Sequence, residues 1–238
     1  MHYANFHTGI FVERLNRFVA SVMIDGDEVL VHVKNTGRCK ELLVPGYTVY
    51  LEKSDNTARK YAYDLIAVEK QCPEGIKLIN MDSMAPNCAA REWLENGGAG
   101  KIDELRAEVK EGDSRFDFCG MQNGRKVFIE VKGCTLESGG EACFPDAPTE
   151  RGVKHVKGLT ELAKAGDRCI VLIVIQMKGI RVFRPNWKTH PEFGMALQAA
   201  RDAGVEIIAV DCIVRPGYVS MDAPVPVDLN CPAQPEDD

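Results

Sequence analysis

The chain has 238 residues, enough for one large domain or two small ones with a real hydrophobic core. Hydrophobic residues make up 45% and charged residues 27%, an ordinary balance for a soluble globular protein. The longest apolar run, "CIVLIVIQM" at 169–177, is too short to span a bilayer and predicts a buried strand, so no membrane partner is expected.

The formal net charge is −6, and five acids with no base fall in residues 218–238, leaving the rest at −1. That argues against coating of nucleic acid by bulk charge but leaves room for local basic patches. The start shows no basic segment followed by an apolar one, so no secretory leader is read. Nine cysteines without a CxxC pair predict reduced, mostly buried thiols in a cytoplasm.

Residues 10–80 read as all-β. "FVASVMIDGDEVLVHVKN" is two Val- and Ile-rich runs around Asp25-Gly26-Asp27, a hairpin signal. "TVYLEKS" and "YAYDLIAVEK" add strands, and five or so short strands suggest a small barrel or sandwich. From residue 87 the texture changes. "NCAAREWLENG" predicts a helix with Asn87 as N-cap and Gly97-Gly98 as stop. Strands are expected at 103–111, 114–120 and 126–134, then a helix capped by Thr149 and ended by Gly166. A buried strand, a helix from "PEFGMALQAARDAG" and a strand from "VEIIAVDCIV" follow. The order is α-β-β-β-α-β-α-β, a mixed α/β domain. The Pro-rich, acidic end after 217 reads as a poorly ordered tail.

Two turns fix a register. If Asn123-Gly124 centre a type I′ turn, opposed residues sum to 247, so Asp117 faces Glu130. If Gly112-Asp113 centre a II′ turn, opposed residues sum to 225, so Glu108 faces Asp117. Three acids then form one row, with Lys110, Arg115 and Lys132 as a basic row beside it. Opposed like charges are destabilising, and a divalent cation such as Mg²⁺ would explain them. Glu130 and Lys132 share a face with Val131 turned inward, and a lysine beside a metal-bound water suits hydrolysis. The same alternation also describes a solvated outer face, and both readings stand at this point.

At these residues the chain resembles the sugar fermentation stimulation protein A family. The resemblance rests on "SRFDF", "VFIEVKGCTLESGGEACFPDAPTERGVKHVKGLTEL", "RFVASV", "NTG", "LVPG" and "HPEF", and spans residues 10 to about 215. It implies an N-terminal OB-type barrel (1–85) and a C-terminal domain like the PD-(D/E)xK nucleases (86–217). It matches Asp117 to the metal-binding acid and Glu130 with Lys132 to the (D/E)-x-K pair. It makes Glu92 the candidate acid from the first helix. Glu108 rests on the pairing argument. The implied activity is Mg²⁺- or Mn²⁺-dependent hydrolysis of DNA. The implied alternative is a non-cleaving DNA-binding regulator of sugar (maltose) metabolism. Hydrolysis of a small phosphorylated compound is a third reading. The chain departs from the family at "NTGRCKELLVPG", where relatives read close to "NTGSMxGLLxPG".

DNA contacts are expected from His32, Asn35, Arg38 and Lys40 in and after the second barrel strand, and from Arg115. Arg151, Lys154 and His155 at the start of the second helix complete the set, since a helix N-terminus favours phosphate. These helix residues also fit an ordinary solvated face with a packed histidine. Gln176 reads either as a strand-end polar group or as a side chain pointing into the site.

Overall fold

The computed structural model describes residues 1–35 and 37–232. Six strands open the chain: β1 (Phe6–Asn16), β2 (Val19–Ile24), β3 (Asp27–Val33), β4 (Thr48–Lys53), β5 (Tyr63–Cys72) and β6 (Gly75–Asn80). They pair in the order β3-β2-β1-β4-β5-β6, and a parallel pairing of β3 with β5, His32 to Asp64 and Val33 to Leu65, closes β1–β5 into a barrel. Inward residues such as Phe11, Val22, Val31, Val49, Leu51 and Leu65 are at most 1% exposed and fill it. This is the expected OB-type barrel.

Helix α1 (Ala85–Glu95) follows, then β7 (Asp103–Glu111), β8 (Ser114–Gln122) and β9 (Arg125–Cys134). Two short strands, β10 (Leu136–Ser138) and β11 (Glu141–Phe144), precede α2 (Glu150–Lys164). Then come β12 (Arg168–Ile175), β13 (Val182–Pro185), α3 (Pro191–Asp202), β14 (Glu206–Arg215) and β15 (Tyr218–Val225). The main sheet runs β15-β14-β12-β9-β8-β7, with β9, β12 and β14 mutually parallel. Helix α1 packs on one face against β9, β12 and β15; α2 packs on β8, β9 and β12, and α3 on β14. Strand β12, covered on both faces, is apolar and buried from Cys169 to Ile175, as a central parallel strand must be. The small strands β10, β11 and β13 form a separate three-stranded sheet.

Both turns hold the predicted registers. Asn123 and Gly124 have φ of 51° and 78°, the two positive values a type I′ turn requires, and β8–β9 pairs such as Cys119 with Phe128 sum to 247. Lys110 pairs with Arg115 and Val109 with Phe116, which sum to 225. Thr149 caps α2 as read, its hydroxyl accepting from the Gly152 N–H at 3.1 Å.

Two expectations are corrected. The N-cap of α1 is Met84, not Asn87, because the Asp82 carboxylate already accepts the Met84 N–H at 2.9 Å and starts the turn earlier. The expected tail after 217 is ordered structure as far as residue 232. Strand β15 pairs with β14, Leu229 is buried, and Asp228 is ion-paired with Arg184. Residues 233–238 lie outside the described residues.

The barrel and the α/β domain share a packed joint. Lys70 (β5) and Lys77 (β6) reach the buried Glu137 carboxylate at 2.7 and 3.3 Å. The Asn80 N–H donates to the Gln176 carbonyl at 2.9 Å. No helix among the described residues is long and apolar enough to cross a membrane.

Candidate functional site

Strand β8 changes face at Asp117. In a regular strand residues i and i+2 share a face. Here Phe116 belongs to the core under α2, while Phe118 belongs to the core under α1 with Ile129 and Val131. The β8–β9 pairing runs only as far as Phe118 with Ile129. At the next step the Asp117 carboxylate enters in place of backbone, and its Oδ2 accepts the Val131 N–H at 2.7 Å. Its Oδ1 accepts from the Asn87 side-chain amide at 2.9 Å. The strand crossover therefore turns a would-be ladder position into an oriented acid.

Glu130 lies opposite, on the α2 side of β9, and is 2% exposed. Its Oε1 takes two partners, the Lys132 ammonium and His155 Nδ1, the latter at 2.5 Å. Its Oε2 is buried and has no hydrogen-bond partner. A buried carboxylate oxygen left unpaired is costly, and a bound cation is one way to satisfy it. Asp117, Glu130, Lys132 and His155 line one cavity of about 350 Å³. The barrel adds Asn35 and Gly37, α1 adds Asn87, and the segment before and within α2 adds Asp146 and Arg151. Gln176 lines it too; its Nε2 donates to Asn80 Oδ1 at 2.8 Å.

Gly133 lets this wall close. A Cβ there would lie 2.5 Å from Pro86 Cγ and 2.6 Å from Gln176 Oε1. Helix α1 therefore starts hard against β9, which carries Asn87 to Asp117. The set fits a hard divalent cation in one respect: Asp117 and Glu130 face one polar cavity and one Glu130 oxygen has no partner. Among the described residues, no group of three or more His, Cys, Asp or Glu side chains is arranged to hold a metal ion by itself. Any ion there would draw its remaining ligands from water or substrate.

The structure does not bring Glu108 or Glu92 to this cavity. Glu108 has the register position the turns predict, but its φ is +55°, and the left-handed backbone turns the side chain out to an exposed pair with Arg115 at 3.1 Å. A register sum carries no φ, which is why the three-acid row fails. Glu92 is exposed on α1 and accepts from the chain's terminal amine at 2.8 Å.

The expected DNA contacts divide. Arg38, Lys40, Arg151 and Lys154 are exposed, and Asn35 and Arg151 line the cavity. Arg115 is held by Glu108. His32 is held by Asp64 at 2.8 Å. Burial alone would raise the Asp64 carboxyl, but Arg59, His32 and Lys34 outweigh it and hold it at about 2. His155 is buried against Glu130 rather than offered to an outside phosphate.

Sequence reasoning missed Asn87 as a partner of Asp117, and it missed Asp146. Asp146 had a signal, its place in the specific run "FPDAP". Asn87 had none beyond its proximity to a helix start. All nine thiols are free and five are buried, and burial pushes Cys39, Cys169 and Cys212 up to about 12.

Comparison with known proteins agrees with this architecture. Residues 12–79 match the family model "SfsA N-terminal OB domain", and residues 84–218 match "Sugar fermentation stimulation protein RE domain". A sugar fermentation stimulation protein homolog of Ruminiclostridium cellulolyticum is 50% identical over 230 residues, 96% of this chain and all of that one. A homolog from Desulfitobacterium hafniense is 52% identical over 214 residues, 90% of this chain and 92% of that one. The solved structure of Pyrococcus furiosus SfsA in complex with Ca²⁺ superposes with a TM-score of 0.85 at 27% identity, covering 96% of this chain and 98% of that one. The chain belongs to the sugar fermentation stimulation protein family.

Proposed function

We propose that this protein binds DNA and hydrolyses a phosphodiester bond in it, using a divalent cation held by Asp117 and Glu130. The observation that carries the reading is the free, buried Oε2 of Glu130, in one cavity with Asp117 and with a lysine bonded to the same carboxylate. The Ca²⁺ complex of the P. furiosus relative supports a divalent ion in this fold. Mg²⁺ or Mn²⁺ is the expected working ion, since such ions bind through one or two carboxylates plus waters and substrate phosphate. When bound, the ion would supply a polarised water and a positive centre against the charge growing on phosphate.

The chain's own groups do the rest. Lys132 spends one N–H on Glu130 and keeps two for water or a phosphate oxygen. His155 occupies Oε1 from the other side and so orients the carboxylate with Oε2 left over. Asn87 and the Val131 N–H hold Asp117 in the same way. Arg151, in the first turn of α2, offers positive charge at the cavity wall, where an anionic backbone would approach.

The test is incubation of the purified protein with single-stranded, duplex and branched DNA in EDTA, Mg²⁺ and Mn²⁺, beside Asp117→Asn and Lys132→Ala. Metal-dependent cutting lost in both variants is expected. DNA retention without cutting in any metal would overturn the hydrolase reading. One observation favours that second outcome, a DNA-binding regulator that does not cut: Glu130 Oε1 and both Asp117 oxygens already have protein partners without an ion. Retention that falls steeply with salt marks phosphate contacts in either case.

A further inference from the structure

The barrel wall of the cavity is held by one side chain that sequence reading passed over. Arg14, near the end of β1, donates all five of its N–H groups to backbone carbonyls. Nε reaches Asn16 at 3.2 Å, and Nη2 reaches Arg17 at 2.8 Å and Asn35 at 2.9 Å. Nη1 reaches Gly37 at 2.8 Å and Arg38 at 2.7 Å. Two segments are thereby tied together at one end of the barrel. One is the turn between β1 and β2. The other follows β3 and supplies Asn35 and Gly37 to the cavity.

Each segment carries something a nucleic-acid strand can use. The first turn presents Phe18, 50% exposed, with the Arg17 guanidinium 5.6 Å from its ring centre. The second presents Arg38 and Lys40 to solvent. Across the cavity, Gly37 meets Asp146 so closely that a Cβ on Gly37 would lie 2.1 Å from Asp146 Oδ2. The barrel and the α/β domain thus touch beside the acids. The cavity between them, about 350 Å³, falls at the small end of ligand sites, which run from about 300 to 1,000 Å³. Glu130 is 2% exposed inside it.

We propose that the site takes its DNA as a single unpaired strand, with one base stacked on Phe18, and that Arg14 is the positioning residue for this selection. The proposal rests on the reading of the site as one that acts on DNA. A duplex presents its phosphates on the outside of a stiff rod, with the partner strand always beside them. A cavity walled by two touching domains cannot take that rod, whereas an unpaired strand can bend one phosphate into it. Only an unpaired base exposes a face to an aromatic side chain. The near-neutral body of the chain also fits a short, stacked contact better than a long track of phosphates.

Binding is measured first, by fluorescence anisotropy in EDTA, with a labelled single-stranded oligonucleotide and its duplex. Single-stranded DNA should bind about ten-fold tighter or more, and Phe18→Ala should remove about ten-fold of that, the worth of one base stack, without changing duplex binding. Phe18→Trp should restore it. Arg14→Ala should lower the single-strand preference while its circular dichroism stays that of the parent. If Arg14→Ala does not fold, Gly37→Ala, which crowds Asp146 and the Asn35 side chain at the same wall, takes its place. Equal binding of single strand and duplex, equal loss for both in Phe18→Ala, or no binding of either overturns the proposal. Cutting is then compared in Mn²⁺. Single-strand preference in EDTA without cutting in any metal would sink the hydrolase reading alone. Duplex cut as fast as single strand would sink the strand selection alone.

Discussion

Asp117→Asn tests the ion site without asking for catalysis. The carboxylate accepts from Asn87 at 2.9 Å and from the Val131 N–H at 2.7 Å, one on each oxygen. An asparagine keeps the shape but can accept on one side only, and its amide N–H₂ then faces a donor on the other. A hydrogen bond to a charged group is worth about 1.5–3 kcal/mol, so the variant should lose about 2 kcal/mol in EDTA. An ion that binds only the folded chain adds about 2.7 kcal/mol when present at about 100 times its Kd. For a chain of this size each kcal/mol moves Tm by about 2–4 °C. The parent should therefore gain about 5–10 °C on moving from EDTA to saturating Mn²⁺ or Ca²⁺. The variant should start about 4–8 °C lower and gain almost nothing. Differential scanning calorimetry in EDTA, Mg²⁺, Mn²⁺ and Ca²⁺ reads both numbers. A variant that gains as much as the parent would remove Asp117 from the ligand set. A parent that gains nothing from any of the three ions would refute the two-carboxylate site itself.

Glu137 gives a pH signature at the joint between barrel and α/β domain. Burial would raise its carboxyl, but Lys70, the Gly140 N–H and Lys77 outweigh that and hold it at about 2, below the ordinary 4.5. Because the folded value is depressed, its contribution is present above the unfolded value and is lost as pH falls through about 2. Full conversion would give about 3 kcal/mol, and screening around the two lysines reduces this to about 1–2 kcal/mol. Urea titrations of Glu137→Gln should show that deficit at pH 7, with the two curves converging toward pH 2; a constant deficit would contradict it. Gly133→Ala should cost about 1–3 kcal/mol by overpacking against Pro86 and Gln176, and should weaken ion binding because Asn87 moves with the start of α1. Glu108→Ala and Glu92→Ala should change stability by less than about 0.5 kcal/mol, as exposed substitutions do, and should leave ion binding intact by calorimetric titration. Loss of ion binding in either would restore that acid to the site.

What was legible in the sequence is what local rules encode. Asn123-Gly124 admits one tight turn, which fixes the β8–β9 register as far as Phe118 with Ile129 from residue numbers alone. The two-residue period places Glu130 and Lys132 on one side and Val131 on the other. Thr149 announces α2, and the unbroken apolar run of β12 announces a strand covered on both faces. Composition misled at the other end. Pro224, Pro226 and the five acids of 218–238 hide "YVSMDAPV", whose Val219, Met221 and Val225 are buried against the sheet.

The illegible part of the site has a common cause. Asn87 and His155 lie 30 and 25 residues from the atoms they hold, and Arg14 lies 21 to 24 residues from the carbonyls it reaches past β3. No spacing rule links a helix start to an acid two strands on, nor a β1 arginine to carbonyls past β3. Glu108 shows the converse. Its register holds but its side chain leaves the row, because a single left-handed φ at +55° turns it out to Arg115. That residue lies between the Ala107–Phe118 and Val109–Phe116 pairs, opposite the point where β8 changes face. An ion at this site would then be held by two carboxylates rather than three. The remaining positions would go to water and substrate, which is the arrangement a hydrolytic centre needs and a purely structural ion site does not.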